Sequence, residues 1–182
     1  MKFTETGLDG AWIVDLEPIE DDRGFFARSW CAKDLAELGM VADVAQCNVS
    51  YNHAAATLRG MHYSVPPVAE SKFVRCTAGA VHDVIVDVRP DSPTYLRWVG
   101  VELSAANRRA LYVPPMFAHG YLTLTEGAEV TYQVSAFYTP GAERGVRFDD
   151  PALAIEWPLE PVVLSDKDRS WGPFEVAGRQ PS

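Results

Sequence analysis

Two histidines lie in segments that could carry acid–base chemistry. His62 ends the segment LRGMH, and His119 lies in the middle of FAHGY. An imidazole changes its charge near neutral pH, so a well-placed histidine can take a proton from a substrate carbon or return one. A histidine among apolar neighbours can also be a buried structural residue. Both residues are therefore candidates for a general base, with a structural role as the alternative.

Motifs for other kinds of catalysis are missing from the sequence. No GxSxG, P-loop or GxGxxG segment is present, so hydrolase, kinase and dehydrogenase hypotheses have no motif in their support. A cupin-type metal site commonly uses closely spaced histidines and a carboxylate, but no two of the four histidines lie within four residues of each other. We therefore expect a site with no metal and no cofactor, in which side chains transfer protons.

A predicted strand over residues 130–138 carries two tyrosines on one face. Side chains alternate along a strand, so Tyr132 and Tyr138 point the same way, about 20 Å apart on a straight strand. A sugar nucleotide is long enough to touch both, although two half-buried strand aromatics are the simpler interpretation. Lys72 and Arg75 fall on opposite faces of an earlier strand. Only one of them can point into a barrel interior, where a lysine needs a partner or a ligand.

Short strands separated by turn residues dominate the chain between residues 44 and 148. The predicted strands span residues 73–77, 81–88, 98–103, 110–113, 121–124 and 130–138. One short helix is predicted over residues 33–39, where a glycine stands at the C-cap position. Many short strands at this spacing predict a mainly β fold, either a sandwich or a barrel, with few short helices.

Length and composition indicate a single folded domain over residues 1–182. Of the 182 residues, 47% are hydrophobic, which is enough for a core, and residues 175–182 are predicted to form a loose tail. The net charge of −9 argues against a surface for nucleic acid. In a chain with this net charge, an anionic small ligand requires several cationic side chains that lie close together.

The cysteines suggest a cellular compartment, and the hydrophobic pattern suggests a subunit partner. Three widely spaced cysteines indicate reduced thiols, and we see no signal segment or membrane-spanning run, so we expect a cytoplasmic protein that makes no membrane contact. The run Val84-Ile85-Val86 is apolar on both faces of its strand. Its outer face needs a second sheet or a subunit partner, and we expect a homodimer.

Nine segments, taken in order, resemble the dTDP-4-dehydrorhamnose 3,5-epimerase family over roughly residues 10–172. They are DDRGFF (21–26), QCNVS (46–50), LRGMHY (58–63), PPVAESKFVR (66–75), GAVHDVIVDVRPDSPTY (79–95), LSAANRRALYVPPMFAHGY (103–121), YQVSAFYTPGAERGVRFDDP (132–151), IEWP (155–158) and LSDKD (164–168). The resemblance implies a cupin-like antiparallel β-barrel (jelly roll), metal-free and usually homodimeric. It also implies an enzyme that inverts C3, C5 or both, beside the C4 ketone of a dTDP-4-keto-6-deoxyhexose in rhamnose-type deoxysugar biosynthesis.

The resemblance also assigns roles to residues of this chain. His62 is the implied base and Asp168 its partner, while Tyr132 is the implied acid. Lys72 is implied to contact the C4 oxygen, where a preorganised donor can lower the barrier by roughly 3 kcal/mol. Further residues are implied to bind the substrate, with Arg23 on the diphosphate: Arg23, Phe26, Arg28, Gln46, Asn48, Arg59, His119, Tyr138 and Lys167.

Departures from the family pattern leave alternatives open. The family commonly has an acidic residue at the position of Arg28, and a guanidinium cannot accept the hydrogen bond of a thymine imide. Glutamine is usual in the family where Ser64 and Glu70 stand. The alternatives are a CDP or GDP sugar, epimerisation at one carbon only, and a non-catalytic module that binds sugar nucleotides. Asp83, from a barrel strand, is an alternative partner for a catalytic histidine.

Overall fold

Thirteen strands and two short helices make up residues 1–176, the part of the chain that the computed structural model describes. The strands are β1 (Lys2–Glu5), β2 (Trp12–Asp15), β3 (Ile19–Asp21), β4 (Gly24–Phe26), β5 (Gln46–Asn52), β6 (Leu58–Ser64), β7 (Lys72–Ala78), β8 (Ala80–Asp87), β9 (Trp98–Ser104), β10 (Ala110–Val113), β11 (Phe117–Thr123), β12 (Ala128–Val134) and β13 (Glu143–Gly145). The helices are α1 (Ala32–Glu37) and α2 (Asp166–Arg169).

The strands form two larger antiparallel sheets and one hairpin. The six-stranded sheet has the order β1-β2-β10-β7-β12-β5, the five-stranded sheet has the order β13-β6-β11-β8-β9, and β3 pairs with β4 alone. Neighbours in each sheet are mostly distant in sequence, as in a jelly roll. The predicted mainly β, cupin-like antiparallel fold with few short helices is confirmed.

The main core lies between the two sheets. Val74 of β7 and Leu111 of β10 come from one sheet, and Ile85 of β8, Leu103 of β9 and Phe117 of β11 come from the other; all five are essentially buried in one cluster. Alternation along each strand sends every second side chain into this layer. Burial of such side chains contributes about 1.5–3 kcal/mol each, which holds the two sheets together.

The outer face of the five-stranded sheet is covered by the chain's own C-terminal part. Val84 and Val86 of β8 pack in a second buried cluster with Val146 and Leu153, and Trp157 lies against it. Neither a second sheet nor a partner is needed to cover this apolar face. The argument from this strand to a homodimer is therefore wrong, although the oligomeric state itself stays a prediction.

Several predicted boundaries differ from those of the structure. The helix over residues 33–39 is present as α1, and Gly39, at φ +76°, follows it. The strand over residues 130–138 is shorter in the structure, where β12 ends at Val134. Tyr138 therefore lies in a loop and not on the strand of Tyr132. Helix α2 had no counterpart in the sequence prediction.

The C-terminal part returns across the barrel. Val162 N donates to Ala56 O and Leu58 N donates to Val163 O, which fixes the chain beside β6 just before α2. Most of the predicted loose tail, residues 175–182, lies outside the described residues. No helix within residues 1–176 has the length and apolar character of a membrane span.

A buried carboxylate organises the loop between β8 and β9. Asp87 is fully buried and accepts hydrogen bonds from Arg89 Nε at 2.9 Å, from Thr94 Oγ1 at 2.6 Å and from Ser92 Oγ. Arg89 also donates to Asp9 O at 2.8 Å, so the loop is tied to the N-terminal segment. Burial alone raises the pKa of Asp87, but these donors outweigh it and hold the pKa below the usual 3.8.

Asp87→Asn is expected to lower the free energy of unfolding by about 3 kcal/mol at pH 7, because it removes the buried carboxylate and leaves the partly buried Arg89 only the exposed Asp9 as an ion-pair partner. Since the folded pKa lies below the usual 3.8, the stabilisation is fully present above pH 3.8 and is lost as the pH falls further. Urea unfolding of both proteins at pH 7, 5 and 3 measures this difference.

A matched control is Asp149→Asn, which removes an exposed partner of Arg147 at the same sequence spacing. Solvent screens that pair, so we expect a loss below about 0.5 kcal/mol. Equal losses of unfolding free energy in the two variants would contradict the stabilising role of Asp87.

Candidate active site

A cavity of about 520 Å³ opens between the two sheets. Strands β5, β7 and β12 form one wall, and β6, β11, β13 and the segment around α2 form the other. Such a volume suits a small organic ligand. Ten of the thirteen predicted site residues line this cavity: Gln46, Asn48, Arg59, His62, Lys72, His119, Tyr132, Tyr138, Lys167 and Asp168.

His62 and Asp168 form a close polar contact in the cavity. His62 Nε2 lies 2.6 Å from Asp168 Oδ1, and Asp168 is only 4% exposed. Burial tends to raise the pKa of Asp168, but hydrogen bonds from His62, Ser165 and the Gly60 amide hold it below its usual value. The carboxylate is therefore ionised and accepts the Nε2 hydrogen of the ring. Nδ1 keeps its lone pair, 3.6 Å from Glu143 Oε1.

A second histidine–aspartate pair lies beside the first. His119 Nε2 is 2.9 Å from Asp83 Oδ1, and both side chains are buried. His119 of β11 and His62 of β6 are directly opposite in the antiparallel register. The structure thus gives each histidine its own aspartate, Asp168 for His62 and Asp83 for His119.

Two glycines allow β6 and β11 to approach closely at this point. A Cβ on Gly60 would lie 2.5 Å from Gly120 Cα and 2.8 Å from His119 O. Gly60 also has a φ of +128°, which side-chain-bearing residues rarely adopt. The register of the two strands shifts between His119 and Tyr121, next to this contact. The close approach is what brings the two histidines to one side of the cavity.

The opposite wall presents a tyrosine and amide side chains. Tyr132 of β12 is directly opposite Asn48 of β5 in the register, and both side chains line the cavity. Burial, with smaller contributions from Tyr121 and Glu70, raises the pKa of Tyr132 above its usual value. The phenol therefore keeps its proton at neutral pH and can donate it.

Cations and anions alternate around the cavity. Lys72 Nζ lies 3.5 Å from Glu70 Oε1, and Lys167 Nζ lies 2.6 Å from Glu143 Oε2. Arg59 Nε donates to Asn52 Oδ1 at 2.7 Å, which orients the guanidinium at the rim. Locally converging cations of this kind are what an overall acidic chain needs to bind an anionic ligand.

Some lining residues were not predicted from the sequence. Glu143 faces His62 and Lys167, and Tyr121 donates to Ser50 Oγ at 2.8 Å behind Arg59. Glu143 is the first residue of the short edge strand β13, in a turn-rich segment, and belongs to no motif of its own. Tyr138 reaches the cavity from a loop, where its amide donates to Gln46 Oε1 at 2.7 Å.

Three predicted site residues lie outside this cavity. Arg23 and Phe26 belong to the β3–β4 hairpin, where the Arg23 side chain is 89% exposed and Phe26 is 73% exposed. Arg23 contacts Asp21 of the same turn, and Arg28 lies 3.7 Å from Asp34. In a single chain these residues do not meet the other ten, and their binding roles stay predictions.

Possible metal ligands do not cluster in the described part of the chain. Within residues 1–176, no three His, Cys, Asp or Glu side chains group together in a way that could hold a metal ion. The expectation of a site with neither metal nor cofactor stays a prediction.

A family profile and a curated relative that match this chain carry the same description. The family profile of dTDP-4-dehydrorhamnose 3,5-epimerase matches residues 5–175. The dTDP-4-dehydrorhamnose 3,5-epimerase of Sinorhizobium fredii is 44% identical over 175 residues, which cover 93% of this chain and 88% of that relative.

Solved structures are similar over nearly the whole chain. The Bacillus anthracis str. Ames dTDP-4-dehydrorhamnose 3,5-epimerase, with TDP and PPi bound, is 43% identical with a TM-score of 0.90, covering 95% of this chain and 99% of that one. The dTDP-6-deoxy-D-glucose-3,5-epimerase of Legionella pneumophila, in complex with dTDP-4-keto-L-rhamnose, is 40% identical with a TM-score of 0.86, covering 93% and 90%.

Gly60→Ala is expected to lower the free energy of unfolding by about 3 kcal/mol, because the new Cβ collides with backbone and the positive φ is strained. Urea unfolding measures the change. The control is Gly172→Ala, where an added Cβ meets open space and the effect should stay below about 0.5 kcal/mol. A Gly60→Ala protein as stable as the wild type would show that the strands tolerate separation.

Proposed function

The chain belongs to the dTDP-4-dehydrorhamnose 3,5-epimerase family, and on this basis we propose that it inverts C3 and C5 of a dTDP-4-keto-6-deoxyhexose in the cavity between its sheets. The chain is an isomerase, and its substrate class is a dTDP sugar. Relatives that act on or bind dTDP sugars favour this nucleotide over CDP or GDP.

One observation carries the chemical assignment: a supported base and a protonated acid stand on opposite walls. His62 belongs to the five-stranded sheet and Tyr132 to the six-stranded sheet. Inversion of a carbon needs a proton removed from one face and returned to the other. A module that only binds sugar nucleotides has no need of this arrangement.

His62 is the proposed base. Asp168 accepts the Nε2 hydrogen, which fixes the tautomer and leaves Nδ1 free to take the proton from the carbon beside the C4 ketone. As the C–H bond breaks, its electrons move to the C4 oxygen, which becomes an enolate. The imidazolium that forms is stabilised by the carboxylates of Asp168 and Glu143.

The enolate oxygen needs donors that are already in place. Lys72 is the proposed donor, and Arg59 and His119 complete this part of the cavity. One preorganised donor to a developing oxyanion can lower the barrier by roughly 3 kcal/mol. The charge of the enolate is then countered without reorganisation during the reaction.

Tyr132 is the proposed acid. Its phenol delivers a proton to the carbon from the face opposite His62, the enolate collapses to the ketone, and the configuration is inverted. The phenolate regains a proton from solvent, and the imidazolium loses one. The same sequence of steps serves C3 and C5, since both carbons adjoin the C4 ketone.

The nucleotide half of the substrate is proposed to need a second copy of the chain. Gln46, Asn48, Tyr138 and Lys167 are available in the cavity, but the diphosphate-binding Arg23 is not. The hairpin that carries it exposes Ile19 by 70% and Phe26 by 73%. Exposed apolar side chains of this size are typical of an interface. We propose a homodimer in which the hairpin of one copy, with Arg23, Phe26 and Arg28, lies at the cavity of the other.

Cytoplasmic location and the absence of a cofactor are part of the same proposal. The three cysteines are free thiols, which suits a reducing compartment. Proton transfer between side chains and a ketosugar needs no redox group.

Deuterium uptake tests the reaction. In D₂O with dTDP-4-keto-6-deoxyglucose, the protein should introduce deuterium at C3 and C5, as measured by mass spectrometry. His62→Ala should slow the uptake by about 10³-fold, because the base is gone. His53→Ala, at an exposed position away from the cavity, is the control and should be unaffected. Full uptake by His62→Ala would contradict the assigned base, and uptake at one carbon would mean a mono-epimerase.

Light scattering tests the dimer. At micromolar concentration we expect twice the chain mass of 20.1 kDa. Arg23→Ala should raise KM about tenfold and leave the mass unchanged, because the residue contacts the diphosphate and not the interface core. The control is Arg147→Ala, an exposed arginine paired with an aspartate two residues away, as Arg23 is. A monomer with normal KM would overturn the proposal.

A further inference from the structure

Glu70 precedes β7 by two residues, and its backbone is held in place. Ser71 N donates to Ser135 Oγ at 2.9 Å, and Ser135 N donates to Ser71 O at 3.1 Å. Ser71 is only 3% exposed. This double contact pins the start of β7 to the end of β12. Alternation along the strand then sends the side chains of Glu70 and Lys72 in the same direction, into the cavity.

The two side chains form an ion pair in a poorly solvated place. Glu70 Oε1 lies 3.5 Å from Lys72 Nζ, and the side chains are 18% and 12% exposed. Such a pair is screened less than one on the surface. A lysine side chain has four flexible carbons, so its ammonium stays at one place only if a partner holds it.

The other carboxylates of the cavity have different partners. Glu143 is bonded to Lys167, and Asp168 is bonded to His62. Within the part of the chain that the structure describes, Glu70 forms the one ion pair of Lys72. Glu70 and Tyr132 also line the same cavity, and the charge of Glu70 contributes to the raised pKa of Tyr132.

We propose that Glu70 is a positioning residue, which rests on the proposed function: its carboxylate accepts one N–H of Lys72 and keeps the other two directed at the C4 oxygen of the substrate. An ammonium has three N–H donors and no acceptor, so binding Glu70 still leaves donors for the enolate. Catalytic donors must be held within about 0.5 Å of the productive geometry, which a free lysine side chain does not achieve.

Substitutions at position 70 separate this role from a structural one. Glu70→Leu removes the acceptor and should lower kcat about tenfold with KM within about twofold of the wild type. Glu70→Gln keeps an acceptor oxygen and should stay within about threefold of the wild-type kcat. The matched control is Glu102→Leu, an exposed residue outside the cavity, which should leave kcat and KM unchanged. Unchanged or increased kcat in Glu70→Leu overturns the proposal, as does a failure of Glu70→Gln to restore it.

A double-mutant cycle asks whether Glu70 acts through Lys72. In a Lys72→Met background, Glu70→Leu should change the rate of deuterium uptake by less than about twofold, because the group it positions is gone. The same tenfold loss in both backgrounds would mean that Glu70 acts independently of Lys72, and the proposal would be overturned.

The pairing of Glu70 with Lys72 can also be tested without turnover. This test is needed if Lys72→Met is too slow to assay or if the wild type takes up no deuterium. The chain has only four lysines, so ¹³C-methylation gives few NMR signals, and that of Lys72 is identified by its loss in Lys72→Met. The chemical shift of this signal should change in Glu70→Leu and stay the same in Glu102→Leu. An unmoved signal refutes the pairing. Absence of deuterium uptake in the wild type refutes the proposed function instead.

Discussion

The hydrogen bond between His62 and Asp168 joins the two parts of the chain on which the cavity depends. His62 lies on β6 of the five-stranded sheet, and Asp168 lies 106 residues later, in the short helix α2. Ser165 caps this helix by accepting a hydrogen bond from Asp168 N. The segment before it covers the outer face of the same sheet and returns beside β6. Packing on the outside of the barrel thus places the carboxylate that contacts a ring on its inside.

The two sheets contribute different chemistry because they bury different groups. One wall carries two histidine–aspartate pairs, His62 with Asp168 and His119 with Asp83. The other wall carries Tyr132, whose burial favours the protonated phenol. The proposed base and the proposed acid therefore stand on opposite walls. Their separation is ensured by the main core, which fixes the distance between the sheets.

Much of the fold and most of the site could be predicted from the sequence, and the failures have physical causes. Strands with clear turn residues at both ends were located well, whereas the strand over residues 130–138 was predicted too long, since no glycine or proline marks the end of β12 at Val134. The choice between Asp83 and Asp168 depended on strand register and on a long-range contact, which local pattern does not encode. The position of Arg23 depends on a hairpin that a single chain leaves exposed. From the sequence, Glu70 was only a departure from the family pattern. Its contact with Lys72 could not be predicted, since it depends on the fixed backbone around Ser71.

The late place of Asp168 in the chain has a consequence for how the protein becomes active. All thirteen strands precede α2, so both sheets and their shared core can form during synthesis before the aspartate is available. Until then His62 has no partner to set its tautomer. The C-terminal segment thus completes the histidine–aspartate pair only after it has closed over the barrel. In the order of the chain the sheets come first, and the partner of His62 comes last.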